Sequence, residues 1–179
     1  MDQADPRARR ARPLSDRLCP GPQSVGKIAA MRGATAGTLG VVAMVGVITT
    51  LRRWLLSSEQ LASSQTHPEK MVQRLSDIVG TGTLEDRDRR RLGDAVHFGY
   101  GAMWGIVLDR LSRSREVRIS RDGLALGLGL WAFGFNVLLP ALGAHPGTWT
   151  WRRREFVLTL SAHVAYGLTT AAALRGLRR

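Results

Sequence analysis

Four stretches of this chain contain no Asp, Glu, Lys or Arg: residues 33–51, 95–108, 123–151 and 156–174. Nearly all of the charge is packed between them. An α-helix needs about 20 apolar residues to cross roughly 30 Å of hydrocarbon, so this segregation predicts a polytopic membrane protein. The bulk numbers hide it. A mean hydropathy of -0.08 and 44% hydrophobic residues resemble a soluble protein only because they average over two unlike kinds of segment. The stretch at 95–108 is the short one, with 14 uncharged residues bounded by Asp94 and Asp109. Snorkelling by Arg89, Arg90, Arg91 and Arg110 would let it span. The predicted spans are about 33–51, 93–111, 123–142 and 156–174.

The net charge of +12 is almost wholly Arg, since Lys27 and Lys70 are the only lysines. These residues flank apolar segments and form no nucleic-acid reader motif. The expected partners are therefore the lipid bilayer and anionic headgroups at the Arg clusters, and not nucleic acid. One cysteine, Cys19, excludes an internal disulfide and a Cys-based metal site. Residues 1–32, the 109–122 connection and the residues after Leu174 carry more Lys and Arg than the opposite side. The positive-inside rule then puts both termini in the cytoplasm of a bacterial inner membrane.

Residues 1–30 are Pro- and Arg-rich without periodicity and read as a disordered basic tail ahead of a membrane domain at 31–177. Met31, directly before the first span, offers an alternative start. In 68–79, Met71, Val72, Leu75, Ile78 and Val79 lie on one helical face, which predicts an amphipathic interfacial helix after Pro68. Thr83 with Asp86 reads as a capping-box start for a helix running through the charged 85–91 segment into the second span.

The motif HFGYG (97–101) returns as HVAYG (163–167), and Gly33 and Gly37 are matched by Gly123 and Gly127. This internal repeat predicts two tandem two-span units related by an axis along the membrane normal. The fold expected is an all-α integral membrane four-helix bundle of those units, plus the one amphipathic interfacial helix. A bundle this short buries little between its helices, so a homo-oligomer is a natural expectation.

His97, Tyr100, Gly101, Trp104 and Gly105 fall on one helical stripe, echoed by His163, Tyr166, Gly167 and Thr170. Lipid gives helices no hydrophobic reason to associate, so glycines and interhelical hydrogen bonds must bring them together. The stripes therefore face the bundle interior, with Gly33, Gly37, Gly101, Gly105, Gly123, Gly127 and Gly167 as packing surfaces. Intramembrane ionisable groups mark functional candidates: His97, His163, Glu155 at the start of the last span, and Asp94 one turn before His97. Three roles compete. The first is a structural polar core without catalysis. The second is a small transporter or proton-responsive channel through His97, His163 and Glu155. The third is a haem-binding electron carrier with axial imidazoles. No catalytic constellation is legible, no cofactor is required, and a metal centre lacks a third clustered ligand because His145 falls in a loop.

Asn136 and Pro140 offer either a kink or a plain helix end before the turn at 142–147, the second being the favoured reading. Trp149 and Trp151, beside Arg152, Arg153 and Arg154, read as an interfacial anchor. Asp109 and Arg110, closing the second span, read as solvated. Taken together, PEK (68–70), HFGYGAMWG (97–105), LLPALG (138–143), Glu155 and HVAYG (163–167) give a pattern that resembles the YagU-like bacterial inner-membrane proteins. The likeness runs over about residues 33–175. It implies a multi-span inner-membrane protein and brings no reaction, cofactor or substrate.

Overall fold

The structure is a computed structural model and describes residues 22–55, 67–80 and 82–179. Their regular structure is helical, with turns and short connections between the helices and no strand among them. Helix α1 is Pro22–Leu55, α2 is His67–Val79, α3 is Asp86–Leu111, α4 is Ile119–Phe133 and α5 is Arg153–Leu177. A π-helical turn at Gly134–Leu138 and a final α-turn at Leu139–Ala141 extend α4, and a 3₁₀ turn at Thr148–Thr150 precedes α5. Three helices are long and apolar enough to cross a membrane: Gly26–Trp54, Ile119–Ala141 and Arg153–Leu177. Helix α3 falls outside that group because Arg87 to Arg91 occupy its first turns.

The helices form a row in the order α3, α1, α5, α4, with α1 packed on α3 and α5, and α5 packed on α1 and α4. Glycine sets each contact. A Cβ on Gly33 would lie 2.6 Å from the Ile106 Cα, and one on Gly37 would overlap the Gly101 carbonyl oxygen. On the other pair, a Cβ on Gly123 would lie 2.9 Å from the Gly167 oxygen, and one on Gly127 would overlap the His163 carbonyl. Both pairs are antiparallel, because residue numbers rise on one helix as they fall on the other. All seven glycines expected at helix contacts are there. Gly40, which the sequence reading did not single out, is an eighth, pressed against Tyr166 and Thr170 of α5.

The two pairs are alike but not in the register of the sequence match. Gly105 meets the Gly33 oxygen and Gly37 nitrogen as Gly167 meets the Gly123 oxygen and Gly127 nitrogen. The HFGYG and HVAYG alignment would pair Gly101 with Gly167, one helical turn away. Close backbone approach depends on where glycine sits, not on where the His–Tyr motif sits.

Between the glycine seams lie two small apolar clusters. One joins Ala36, Leu108, Val117, Ala171 and Leu174 near the α3–α4 connection. The other joins Val41, Met44, Leu130, Ala162 and Tyr166 deeper in the row. Outside them, Leu39, Val42, Val45, Met103, Leu124, Leu128, Phe133 and Val137 are exposed. Such a broad apolar surface is what a bilayer, and not water, would cover.

Several expectations meet a different local structure. Helix α1 begins at Pro22, upstream of the expected limit of the tail at residue 30, while residues 1–21, with Cys19, lie outside those described. Thr83 does not cap α3. The helix starts at Asp86 with Glu85 at the cap position and no side-chain cap bond. It does run unbroken through the charged segment into the apolar one, as expected. The helix ends at Ala141, directly before the 142–147 turn as favoured, but it first widens through Asn136, where the Leu139 N–H reaches back to the Gly134 carbonyl. Pro140 has no N–H for the carbonyl four residues back, and the wider turn absorbs that mismatch.

The amphipathic helix α2 lies across the start of α3. Glu69 abuts Gly93, Val72 is buried, and Arg74 Nε donates to the Leu142 carbonyl at 3.2 Å. Leu75, Ile78 and Val79 stay exposed on its apolar face.

Replacing Gly37 or Gly105 with Leu should force α1 from α3 and lower stability by about 1–3 kcal/mol or more. Gly46→Ala, where a Cβ meets nothing within 4 Å, should be neutral or stabilising. Thermal unfolding in detergent micelles checks both.

Candidate functional site

The polar stripes expected on the second and last spans converge in the middle of the helix row. Tyr166 of α5 is buried, and its hydroxyl donates to the Gly101 carbonyl of α3 at 2.7 Å. That bond passes over α1 where Gly37 and Gly40 leave room and Val41 packs against Gly101. Thr170, fully buried, donates its hydroxyl back to the Tyr166 carbonyl at 2.8 Å. One turn before Tyr166, His163 Nδ1 lies 2.8 Å from the Thr159 carbonyl and donates to it. In the neutral ring this fixes the tautomer, with Nε2 the acceptor nitrogen. The Phe135 ring meets the imidazole edge-on, with centroids 5.4 Å apart.

His97 of α3 faces a different chemistry. Its Nε2 lies 3.3 Å from the Met44 sulfur of α1, a weak hydrogen-bond acceptor. On the same stripe Tyr100 and Trp104 meet edge-on at 6.1 Å. Neither the Tyr100 hydroxyl nor the Trp104 indole N–H has a hydrogen-bond partner among the described residues. The α5 stripe is thus satisfied by backbone carbonyls, whereas the α3 stripe is not.

Glu155 does not join this group. It is exposed at the start of α5, and its charge acts on His145. Thr159 hydrogen-bonds to the Glu155 carbonyl at 2.8 Å and receives the Trp131 indole N–H at 3.1 Å. Thr159 therefore closes the polar stripe toward α4. Met44 was missed by the sequence reading, because a thioether among apolar residues looks like ordinary core.

The α4–α5 connection forms an aromatic cap. Trp151 packs edge-on against Phe135 at 4.6 Å and His145 at 5.4 Å. Its indole N–H lies 3.3 Å from His145 Nδ1, which also accepts the Gly147 N–H at 3.1 Å. Trp151 is folded inward, so of the expected anchor pair only Trp149, 71% exposed, points away from the protein. The inward ring has aromatic neighbours and a hydrogen-bond acceptor that a headgroup layer would otherwise supply. Trp54, 85% exposed at the end of α1, is a second outward indole, legible from its place beside Arg52 and Arg53. Asn136 receives the Thr148 hydroxyl at 2.6 Å and holds the 3₁₀ turn to the π-helical one.

The opposite end carries buried charge. Asp109 is 2% exposed, not solvated as its place at a span end suggests. Arg178 Nε donates to Asp109 Oδ1 at 2.8 Å, and its Nη1 to the Ser112 carbonyl at 2.8 Å. Asp122, also buried, receives Arg115 at 2.6 Å, Arg121 at 3.0 Å and the Arg118 backbone N–H at 2.9 Å. The end of α5 is thereby tied to the end of α3, and the connection is folded onto the start of α4. Among the described residues, no three His, Cys, Asp or Glu side chains gather closely enough to hold a metal ion. No protein-family model, curated protein or solved structure matches the chain.

Tyr166→Phe removes the α5–α3 hydrogen bond and should cost about 0.5–1.5 kcal/mol, read as a lowered Tm with unchanged helical content. His145 gives a pH dependence. Burial, with Lys70 nearby, pushes its pKa down from the ordinary value, and Glu155 only partly offsets this. The unfolded chain then takes up the proton first, so stability should fall as pH drops through about 6.5. Tryptophan-monitored melting at acid and neutral pH should show this loss, and His145→Gln should reduce it.

Proposed function

We propose that the chain is a non-enzymatic integral protein of the bacterial inner membrane, crossing four times with both termini in the cytoplasm. Its His–Tyr stripe serves to hold the helices together. The Tyr166 hydroxyl on the Gly101 carbonyl at 2.7 Å carries this reading. A polar group placed in hydrocarbon needs a partner, and this one is met by a neighbouring helix backbone. The His163 and Thr170 bonds go to carbonyls of their own helix and satisfy those polar groups without crossing to a neighbour.

Three spans are compatible with crossing by length and composition. Helix α3 is proposed as the fourth because its glycine face lies along α1 from Gly101 to Gly105, antiparallel to that span. Its arginine-rich start would sit in the headgroup layer, next to α2, whose exposed Leu75, Ile78 and Val79 suit the same depth. The resemblance to the YagU-like proteins belongs to this proposal and rests on the residues named above.

A second reading has one observation in its favour. Across the helix contact His97 meets the Met44 thioether, a weak acceptor, and the Tyr100 hydroxyl one turn away has no hydrogen-bond partner among the described residues. A proton-responsive passage would use His97, Tyr100 and His163, without Glu155.

Cysteine labelling in intact cells, with Cys19 replaced, tests the topology. Thr83→Cys should react with a membrane-impermeant reagent, and Ser114→Cys only after permeabilisation; equal reactivity would leave α3 outside the bilayer. In liposomes, His97→Ala and His163→Ala should lower thermal stability without altering proton flux. A flux present in the native protein and lost in correctly folded variants would establish the passage instead.

A further inference from the structure

A row of four helices is not a closed bundle, and its open side lies between α3 and α4. There a groove of about 400 Å³, open along its side, is lined by Trp104, Leu108 and Leu111 of α3 and by Leu126, Leu130 and Phe133 of α4. Gly129 also lines it, and a Cβ there would meet nothing within 4 Å. Arg115 and Asp122 close one end, where the connection runs over from α3 to α4.

We propose that this groove binds one anionic phospholipid of the cytoplasmic leaflet, with an acyl chain along the groove and the phosphate among the arginines at its closed end. The inference rests on the four-span reading, and two observations on the groove select the occupant. The first is length. Eleven residues separate Asp122 from Phe133, about 16 Å at 1.5 Å per residue. That is roughly half the 30 Å hydrocarbon layer, one leaflet from headgroup to midplane. A helix of a second copy would need a seam running the full thickness.

The second is charge. Asp109 and Asp122 take up Arg178, Arg115 and Arg121, and Glu116 takes up Arg175. Arg110, Arg113 and Arg118 are exposed on the same end, and none has a carboxylate within ion-pair distance among the described residues. The connection that carries them is held in place: Ser112 and Val117 are buried, and the Ser112 hydroxyl bonds the Leu108 carbonyl at 2.5 Å. The backbone that carries these cations is therefore fixed beside the closed end of the groove, which Arg115 and Asp122 line. That is the arrangement a phosphodiester with attached acyl chains fits, and one a neutral headgroup would not exploit.

The test uses the full chain reconstituted in vesicles of phosphatidylcholine, alone or mixed equally with phosphatidylglycerol. After extraction in mild detergent, retained lipid is read by native mass spectrometry. The native protein should keep a phosphatidylglycerol molecule in preference to phosphatidylcholine. Arg113→Gln with Arg118→Gln should weaken that preference by about fivefold for each arginine removed while leaving the phosphatidylcholine adduct unchanged. Gly129→Phe, which fills open space, should remove the retained lipid of either kind with helical content intact.

Equal retention by native and Gly129→Phe protein would overturn the groove as the site. A dimer of the native protein that disappears in Gly129→Phe would assign the groove to a second copy and overturn the lipid. Flotation with the vesicles separates the two levels. A chain that floats but shows no selective adduct refutes only the lipid site, whereas one that fails to float refutes the membrane reading beneath it.

Discussion

The structure depends on how closely the backbone of α1 can approach its two neighbours. Gly33 and Gly37 press on Gly101 and Gly105 of α3, while Gly40 presses on Tyr166 and Thr170 of α5. In a bilayer the tails solvate a leucine as well as another leucine would. Association must then come from dispersion at short range and from hydrogen bonds that open once the backbones are near. The Tyr166–Gly101 bond is of this second kind. It exists because glycine on both α1 and α3 leaves the Gly101 carbonyl uncovered, so packing comes first and polar satisfaction follows from it.

Charge is handled at the ends of the row and not in its middle. Asp109 and Asp122 are buried where α3 ends and α4 begins, and each is met by arginine. A buried carboxylate is tolerable only when such partners replace its water. Arg178, from the far end of the chain, donates to both Asp109 and the Ser112 carbonyl and so closes α5 against α3. The interior holds His97, His163, Tyr100 and Tyr166, polar groups that can remain neutral. The division matches a molecule whose middle is meant for hydrocarbon and whose ends are meant for headgroups.

Much of the candidate site was legible. The helical stripe placed His97, Tyr100, His163 and Tyr166 inward, and the glycines that face them follow from the same spacing. What escaped was the partner set. Met44 could not be told from ordinary apolar core, and Glu155, one turn before the last polar stripe, turned out to be exposed at the start of α5. Trp151 has the composition of an anchor but lies inside an aromatic cluster with Phe135 and His145. Each miss has one cause: direction around a helix end or a loop depends on neighbours far along the chain.

By itself the sequence determined the kind of molecule: helical, with apolar segments long enough to cross a bilayer and arginine gathered at their ends. Those properties are local, because hydrophobic length and helical spacing act over a few turns. Only the tertiary structure decided the order of the helices, and with it the register of the two glycine pairs. It alone revealed the buried Asp109 and Asp122, and the groove left open between α3 and α4. A sequence match at His and Tyr suggested one register and the packing adopted another, because the closest approach of two helices is set by whichever residues have no side chain.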